Sequence, residues 1–369
     1  MREKIIYVGV DVDDQAFHFS CVDADGEVLA KGVRSLCDSG KLAKSVRARV
    51  GKAQIQIGYE ASYLGYTLAR DLKAKGLDCK VIAPTTIRRC PNDRVKNDRV
   101  DSLRLAQGLR RSEFSFVAIP NEDQESDRQM IRARSFLVAQ KSDLKRHILS
   151  QCRLLDLDYK KETKQKAFWT RAHRNWLDKK LQSISQSMRI ALTCLLANLE
   201  NLEQQIDSLE AQIDHLSQAA AYRKTCENLA CFKGVSTITA MTLITEIFDI
   251  RRFDHPRKLV AFCGLDIREY SSGGKQQQYG ISKMGNKRIR TALVEGCQNF
   301  GRSKAPSKRK QASRSQADPR AIALANSCQE RLYKKWHRML AREKNRNKVK
   351  VACAREMIGF IWEAMRMAA

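Results

Sequence analysis

Four carboxylates and two neighbouring hydroxyls are the groups in this sequence whose types and spacing suggest chemistry. Asp11 closes the near-continuous apolar run Ile5-Ile6-Tyr7-Val8-Gly9-Val10, and Glu60 closes a second run from Gln54 to Tyr59. Asp98 and Asp101 are three residues apart in a stretch patterned as a helix through Leu105 and Leu109, so both project from one helical face. Four acids brought together repel one another unless cations lie among them, and hard oxygen ligands favour Mg²⁺ or Mn²⁺. Two such ions about 4 Å apart clamp the attacking and leaving oxygens of a phosphodiester. Asp13, on the same strand face as Asp11, and Asp14 are alternatives for the first acid. The hydroxyls are those of Ser271 and Ser272, beside Gly273-Gly274 and among Arg268, Lys275 and Lys283. In such a setting a serine can attack a phosphate, although serine among glycines more often simply turns the chain.

The elements that must position the acids are legible. Ile5 to Asp13 reads as a buried strand, and Phe17–Val22 and Val28-Leu29 flank Asp25-Gly26 as a hairpin with a type I′ turn. The alternating run at 54–60 is a strand, Leu64, Leu68 and Leu72 mark a helix, and Lys80-Val81-Ile82-Ala83-Pro84 is a short strand closed by proline. Strand, strand, strand, then strand-helix-strand-helix predicts a mixed α/β sheet over residues 1–118.

Composition constrains the rest. The 369 residues carry a formal net charge of +27, which calls for a polyanionic partner, nucleic acid before membrane, because no run approaches the roughly 20 apolar residues of a spanning helix. The amino terminus shows no cleavage site, and the 12 cysteines include no C-x-x-C pair while the 6 histidines never take ligand spacing. The expectation is a cytoplasmic protein with reduced thiols and no zinc site.

Residues 119–224 form a middle region. Gln129 to Leu155 is a basic helix, and a second basic stretch surrounds Phe168, Trp169 and Trp176, which serve either as small-core anchors or as stacking platforms for exposed bases. Leu195, Leu199, Leu202, Ile206, Leu209, Ile213 and Leu216 then alternate spacings of four and three with acids on the flanks. This heptad seam predicts a coiled coil, either between protomers or folded back as an antiparallel hairpin. In the last region, 225–369, Leu229 to Ala240 joins two helices through Gly234 in the manner of a helix-hairpin-helix, whose turn amides near Gly234 and Ser236 hold a backbone phosphate. A Ser/Ala/Pro/Gln-rich basic loop at 302–314 is expected to order only on nucleic acid. An apolar-faced helix from Val351 closes the chain.

Two resemblances join these pieces. In their order along the chain, Asp11, Glu60, Asp98 and Asp101 resemble the DEDD tetrad of a RuvC-like, RNase H-fold nuclease domain, and Lys96-Asn97-Asp98-Arg99-Val100-Asp101 is similar to the K-T-D-x-x-D string of one class of insertion-sequence transposase. Gly234 to Gly296 resembles the carboxy-terminal domain of the same class, through its G-V-x-x-x-T-A hairpin, F-x-G-L, Y-x-S-G, and G-I-S-K-x-G-N followed by an arginine-rich helix. That class is the bridge recombinases, the insertion-sequence family numbered one hundred and ten. The resemblance implies an RNase H-like domain before the coiled coil read from the heptads and a mainly helical transposase domain after it. It implies Mg²⁺, or Mn²⁺ in its place, on the four acids, and a phosphoserine intermediate at Ser272, with Ser271 adjacent and chemically identical. Arg268, Lys275, Lys283, Lys287, Arg288 and Arg290 are its expected nucleic-acid contacts. The implied partners are double-stranded DNA at element ends and target and a structured guide RNA; the heptad seam adds further copies of the chain, as a dimer or tetramer through the coiled coil. A RuvC-like nuclease using water and a non-catalytic binding scaffold are the alternatives.

Overall fold

The computed structural model describes residues 5–87, 97–272, 275–315 and 317–368, without the side chains of Ser271, Ser272, Lys275, Gln276, Gln278 and Arg309. Two compact units divide the chain, Met1–Asn121 and Glu122–Ala369.

The first unit is a six-stranded sheet. Its elements in order are β1 (Ile5–Val12), β2 (Phe17–Val22), β3 (Val28–Ser35), α1 (Ser39–Val50), β4 (Gln54–Glu60), α2 (Thr67–Ala74), β5 (Asp78–Ile82), a single 3₁₀ turn at Pro84–Thr86, α3 (Asp98–Arg110) and β6 (Phe116–Val117). The sheet order is β3-β2-β1-β4-β5-β6. β1, β4 and β5 run parallel, while β2, β3 and β6 are antiparallel to their neighbours. β1 is therefore central, which accounts for its unbroken apolar run: Val8 and Val10 are fully buried.

Two sequence expectations are corrected here. The β2–β3 connection is not a two-residue type I′ turn but a five-residue loop, because the Asp23 carboxylate accepts from the backbone N–H groups of Asp25, Gly26 and Glu27 and wraps the chain around itself. α1 was not anticipated, since basic residues dilute its apolar stripe; Leu42, Ala43 and Val46 nevertheless bury one face, and Asp38 caps its start by accepting from the Lys41 N–H at 2.7 Å.

The second unit opens with α4 (Glu122–Leu154), followed by α5 (Tyr159–Thr163), α6 (Arg171–Leu181), α7 (Gln186–Ser217), α8 (Arg223–Ala230), α9 (Thr237–Ile247), α10 (Pro256–Phe262), the hairpin β7 (Ile267–Ser272) and β8 (Lys275–Ile281), α11 (Lys287–Gly296), α12 (Lys308–Ala312), α13 (Pro319–Ala341) and α14 (Arg346–Arg366). α7 packs along α4. Arg134 pairs with Glu210, and Lys145 Nζ lies 2.8 Å from Glu203, so the partners ascend one helix as they descend the other and the pair is antiparallel. The apolar seam is covered within the chain, with Leu199, Leu202, Ile206 and Ile213 buried. Ile131 and Ile213 join the main core of this unit beside Phe232, Leu243, Leu293 and Met357, so segments that the sequence reading separates at 224 share one core. Tyr159, Trp176, Leu177 and Leu199 form a smaller core at the other end of the pair.

The basic loop at 302–314 is folded rather than awaiting nucleic acid. Lys310 Nζ donates to the carbonyls of Ala230 and Val235 at 2.6 and 2.7 Å, and the buried Arg314 guanidinium donates to that of Cys231. These cations satisfy carbonyls at the C-terminal end of α8 and in the turn that follows it. Among the described residues no helix is long and apolar enough to cross a membrane.

Candidate active site

Three elements gather the acids. β1 and β4 pair in parallel with Val10 opposite Tyr59, so the next step of the register sets Asp11 beside Glu60. α3 then presses onto β1 because Gly9 has no side chain: a Cβ there would lie 2.2 Å from the Ser102 carbonyl oxygen and 2.3 Å from the Ala106 nitrogen. Gly32, whose Cβ position is occupied by Arg99, admits the same helix over β3. Ser20 and Ser102, both buried, share a hydrogen bond of 2.9 Å that fixes the helix over β2. Asn97 caps the helix by accepting from the Val100 N–H at 2.9 Å, which puts Asp98 and Asp101 in its first turn, where the helix dipole favours negative charge. Lys96 lies outside the described residues.

The electrostatics show that Asp11 lies within the field of the other three acids. The Asp11 carboxyl is pushed up to about 6 by burial, then by the negative charges of Asp98 and Asp101, with a smaller push from Glu60. Asp98 and Asp101 each have a nearby basic side chain: His18 Nδ1 stands 3.3 Å from Asp98 Oδ2, and Arg104 Nη1 donates to Asp101 Oδ1 at 3.2 Å. His18 is a site residue that sequence reasoning missed. It lies directly across the β1–β2 ladder from Asp11, and a lone histidine within a strand gives no local sign of that pairing. Its ring is at ion-pair distance from Asp98 without hydrogen-bond alignment, an electrostatic neighbour only. Among the described residues no three His, Cys, Asp or Glu side chains converge closely enough to enclose a metal ion in this arrangement.

The serine stretch belongs to a pinned hairpin, with strands where the sequence suggested only a turn. Ser272 is the last residue of β7 and pairs with Lys275, and Ser271 pairs with Gln276. The two serines occupy consecutive strand positions, which belong to opposite faces. Their side chains, that of Lys275, and Gly273-Gly274 lie outside the described structure. The hairpin base is fastened by backbone bonds from Ser282 to Asp266 and from Asn286 to Phe262, at 2.8 and 2.7 Å. Gly285, at φ +153°, faces the Phe262 carbonyl oxygen 2.4 Å from where a Cβ would stand. Burial pushes the Cys263 thiol up to about 12, so the cysteine that opens the motif is a core residue.

Asn286 is held by a partner that the sequence did not suggest. Its Nδ2 donates to Glu246 Oε2 at 2.7 Å, and Arg132 of α4 grips the same carboxylate through Nε and Nη2 at 2.7 and 2.9 Å. The Glu246 side chain is 2% exposed; burial alone would raise its pKa, but Arg132 holds it below the ordinary range. Of the expected nucleic-acid contacts, Arg268, Lys283, Lys287 and Arg288 are exposed, whereas Arg290 donates to the Cys263 carbonyl at 2.7 Å. Gly234, at φ +82°, packs backbone to backbone on Gly296, and Ser236 uses its hydroxyl to cap α9 through Thr239.

Comparison with known proteins decides the family. Residues 8–156 match the model of the DEDD transposase domain, and residues 226–312 match that of the transposase IS116/IS110/IS902 family. The chain is 31% identical over 366 residues to putative transposase y4qE of Sinorhizobium fredii, covering 98% of this chain and 89% of that relative. The chain belongs to the IS110 family of insertion-sequence transposases. The transposase for insertion sequence element IS1533 of Leptospira borgpetersenii is 25% identical over 93% of this chain and 99% of its own length. That for element IS1111A of Coxiella burnetii is 25% identical over 80% of this chain and 77% of its own. The protein is a DNA transposase, and its sheet order with α3 on β1 fits an RNase H-like domain.

Proposed function

We propose that this transposase cuts and rejoins DNA through a covalent phosphoserine link, with Ser272 as nucleophile and Asp11, Glu60, Asp98 and Asp101 as ligands of Mg²⁺ or Mn²⁺. The observation that carries the reading is the Asp11 carboxyl, pushed up to about 6 by burial and then by the negative charges of Asp98, Asp101 and Glu60, which α3 and β4 bring near it. An all-oxygen donor set with an excess of negative charge suits a hard divalent cation. When bound, the ion neutralises charge on the scissile phosphate. The Ser272 hydroxyl attacks phosphorus and gives up its proton. The new bond is Oγ–P, the P–O bond to one strand end breaks, and that end takes up a proton. The phosphoester energy is conserved, so rejoining to another strand end needs no ATP. The exposed Arg268, Lys283, Lys287 and Arg288 position the backbone, with Lys275 beside Ser272 in the register. Lys287 and Arg288 also wall an open cleft of about 820 Å³ with Thr239, Thr242 and the exposed Phe136, a surface with both cations and an aromatic face for nucleic acid. A structured RNA guide is part of the proposal through the resemblance, and so is assembly of more than one copy, with the acids of one chain serving the serine of another.

A Mg²⁺-dependent protein–DNA adduct on denaturing gels, lost in Ser272→Ala and kept in Ser271→Ala, is the expected result. Strand cleavage without adduct would identify water as nucleophile and overturn the serine assignment. Joining by RNA-free protein would remove the guide. Mixing Asp11→Ala with Ser272→Ala protein should restore activity if sites are shared between copies, and no recovery would assign each site to one chain.

A further inference from the structure

The hairpin that carries Ser271 and Ser272 stands clear of the core. Arg268, Glu269 and Tyr270 of β7 and Gln277 and Tyr279 of β8 are all exposed, so the direction of the hairpin is set where it joins the rest of the unit. Asn286 lies at that junction, five residues beyond the end of β8, and three of its groups are engaged in three directions. Its backbone N–H donates to the Phe262 carbonyl at 2.7 Å, and its Oδ1 accepts from the N–H groups of Arg288 and Ile289 at 3.0 and 3.1 Å, which caps α11. Its Nδ2 reaches Glu246 of α9, whose carboxylate also receives the Arg132 fork from α4. Three segments far apart in sequence thus meet on one buried carboxylate.

The choice of a charge for this joint is informative. A buried ion pair is seldom more stable than apolar residues of the same volume, because desolvation offsets the attraction; what it adds is direction. Two parallel bonds from a planar guanidinium fix the plane of the carboxylate, and the Asn286 amide is then aligned to that plane. Arg128, one turn before Arg132 on α4, adds a second positive charge that favours the ionised Glu246, and its guanidinium lies 4.7 Å over the Phe248 ring at the end of α9. α4 therefore meets α9 at two points, and the carboxylate between them has little freedom to turn. The six residues of β7 make a lever of about 20 Å, so a rotation of about 3° at its base moves its tip by about 1 Å.

We propose that Glu246 is a positioning residue for strand transfer, acting through Asn286: it fixes the base of the β7–β8 hairpin and with it the line along which Ser272 approaches phosphorus. The inference rests on the serine assignment proposed above and adds to it the device that aims the serine. Misplacing a reacting group by about 1 Å costs on the order of 100-fold in rate, which is the size of effect this joint controls.

The test is a single-turnover reaction of the full-length protein with Mg²⁺ and a saturating linear duplex carrying the element's end, together with RNA transcribed from it, reading the rate constant and the amplitude of protein–DNA adduct formation. Asn286→Ser keeps a hydroxyl that caps α11 but is too short to reach Glu246. Arg132→Lys keeps the positive charge and loses the fork. Each should lower the rate constant by about 10–100-fold, with amplitude and duplex Kd within about 2-fold of the native protein. Loss of folded protein does the opposite, reducing amplitude at an unchanged rate constant. Because both side chains act through one carboxylate, the double variant should be slowed by less than the product of the two single effects. Native rate constants in both variants, a loss confined to amplitude, or a double variant slowed by the full product each overturns the inference and leaves the serine in place. Cleavage by the native protein without any adduct refutes the serine assignment itself, and the inference falls with it.

Discussion

Replacing Asp11 by Asn should make the first unit more stable while abolishing DNA cleavage. The ionised Asp11 carboxylate is half-buried beside the negative charges of Asp98 and Asp101, and its folded pKa of about 6 stands above an ordinary 3.8. That gap corresponds to about 3 kcal/mol against the charged form, which solvent at this partly buried group reduces to about 1–2 kcal/mol. The sign follows from proton binding. The folded state holds this proton more tightly than the unfolded chain, so the associated stability is complete below about 3.8 and is lost as pH rises through about 6. At pH 8 the native protein bears the whole penalty, and the neutral, nearly isosteric amide bears none. Thermal unfolding of both proteins in a metal chelator, from pH 5 to 8, checks this. The variant should melt higher at pH 8, by roughly 4 °C per kcal/mol for a unit of this size, and the advantage should shrink towards pH 5. Added Mg²⁺ should stabilise the native protein more than the variant, reversing the order. A variant that melts at or below the native protein at pH 8 in chelator would refute the reasoning, because the four acids would then not be in mutual repulsion.

Three further substitutions probe the scaffold. Gly9→Ala should cost about 1–3 kcal/mol, seen in urea unfolding, and reduce cleavage, because the new methyl pushes α3 and its two acids away from β1. Glu246→Gln should lower the stability of the second unit by about 3 kcal/mol, since the buried bidentate pairing of Arg132 with the carboxylate is lost; in the native protein this contribution should fade on acidification, as pH falls from the ordinary glutamate value through the lower folded one. Gly234→Ala should cost at least about 2 kcal/mol, both for its left-handed backbone and because its Cβ would stand 2.1 Å from the Gly296 carbonyl, and a melting curve matching the native one would argue against that close approach.

The acids were legible because each follows a strong local pattern: an apolar strand run ending in Asp11, an alternating one ending in Glu60, and a three-residue spacing on a helix for Asp98 and Asp101. β1 and β4 appear where the periodicity places them. What the sequence did not show depends on pairings between distant segments. His18 becomes part of the site only through its register with Asp11, and Glu246 is the one charged residue on its helix until Arg132 and Asn286 are set against it. Charge misled for the same reason. Lys310 and Arg314 look like a solvated basic loop in sequence, and in the fold they are the missing donors for the end of α8. The aromatic residues around Trp176 proved to be a core, as the simpler of the two readings had it.

The long helix α4 also acts as a ruler. Arg132 near its start grips Glu246 and, through it, the base of the serine hairpin; Cys152 near its end belongs to the small aromatic core. The twenty residues between them, at 1.5 Å each, span about 30 Å, and the antiparallel α7 braces that span against bending. Each residue added to or removed from α4 would therefore move the small aromatic core relative to the hairpin base by about 1.5 Å along the helix.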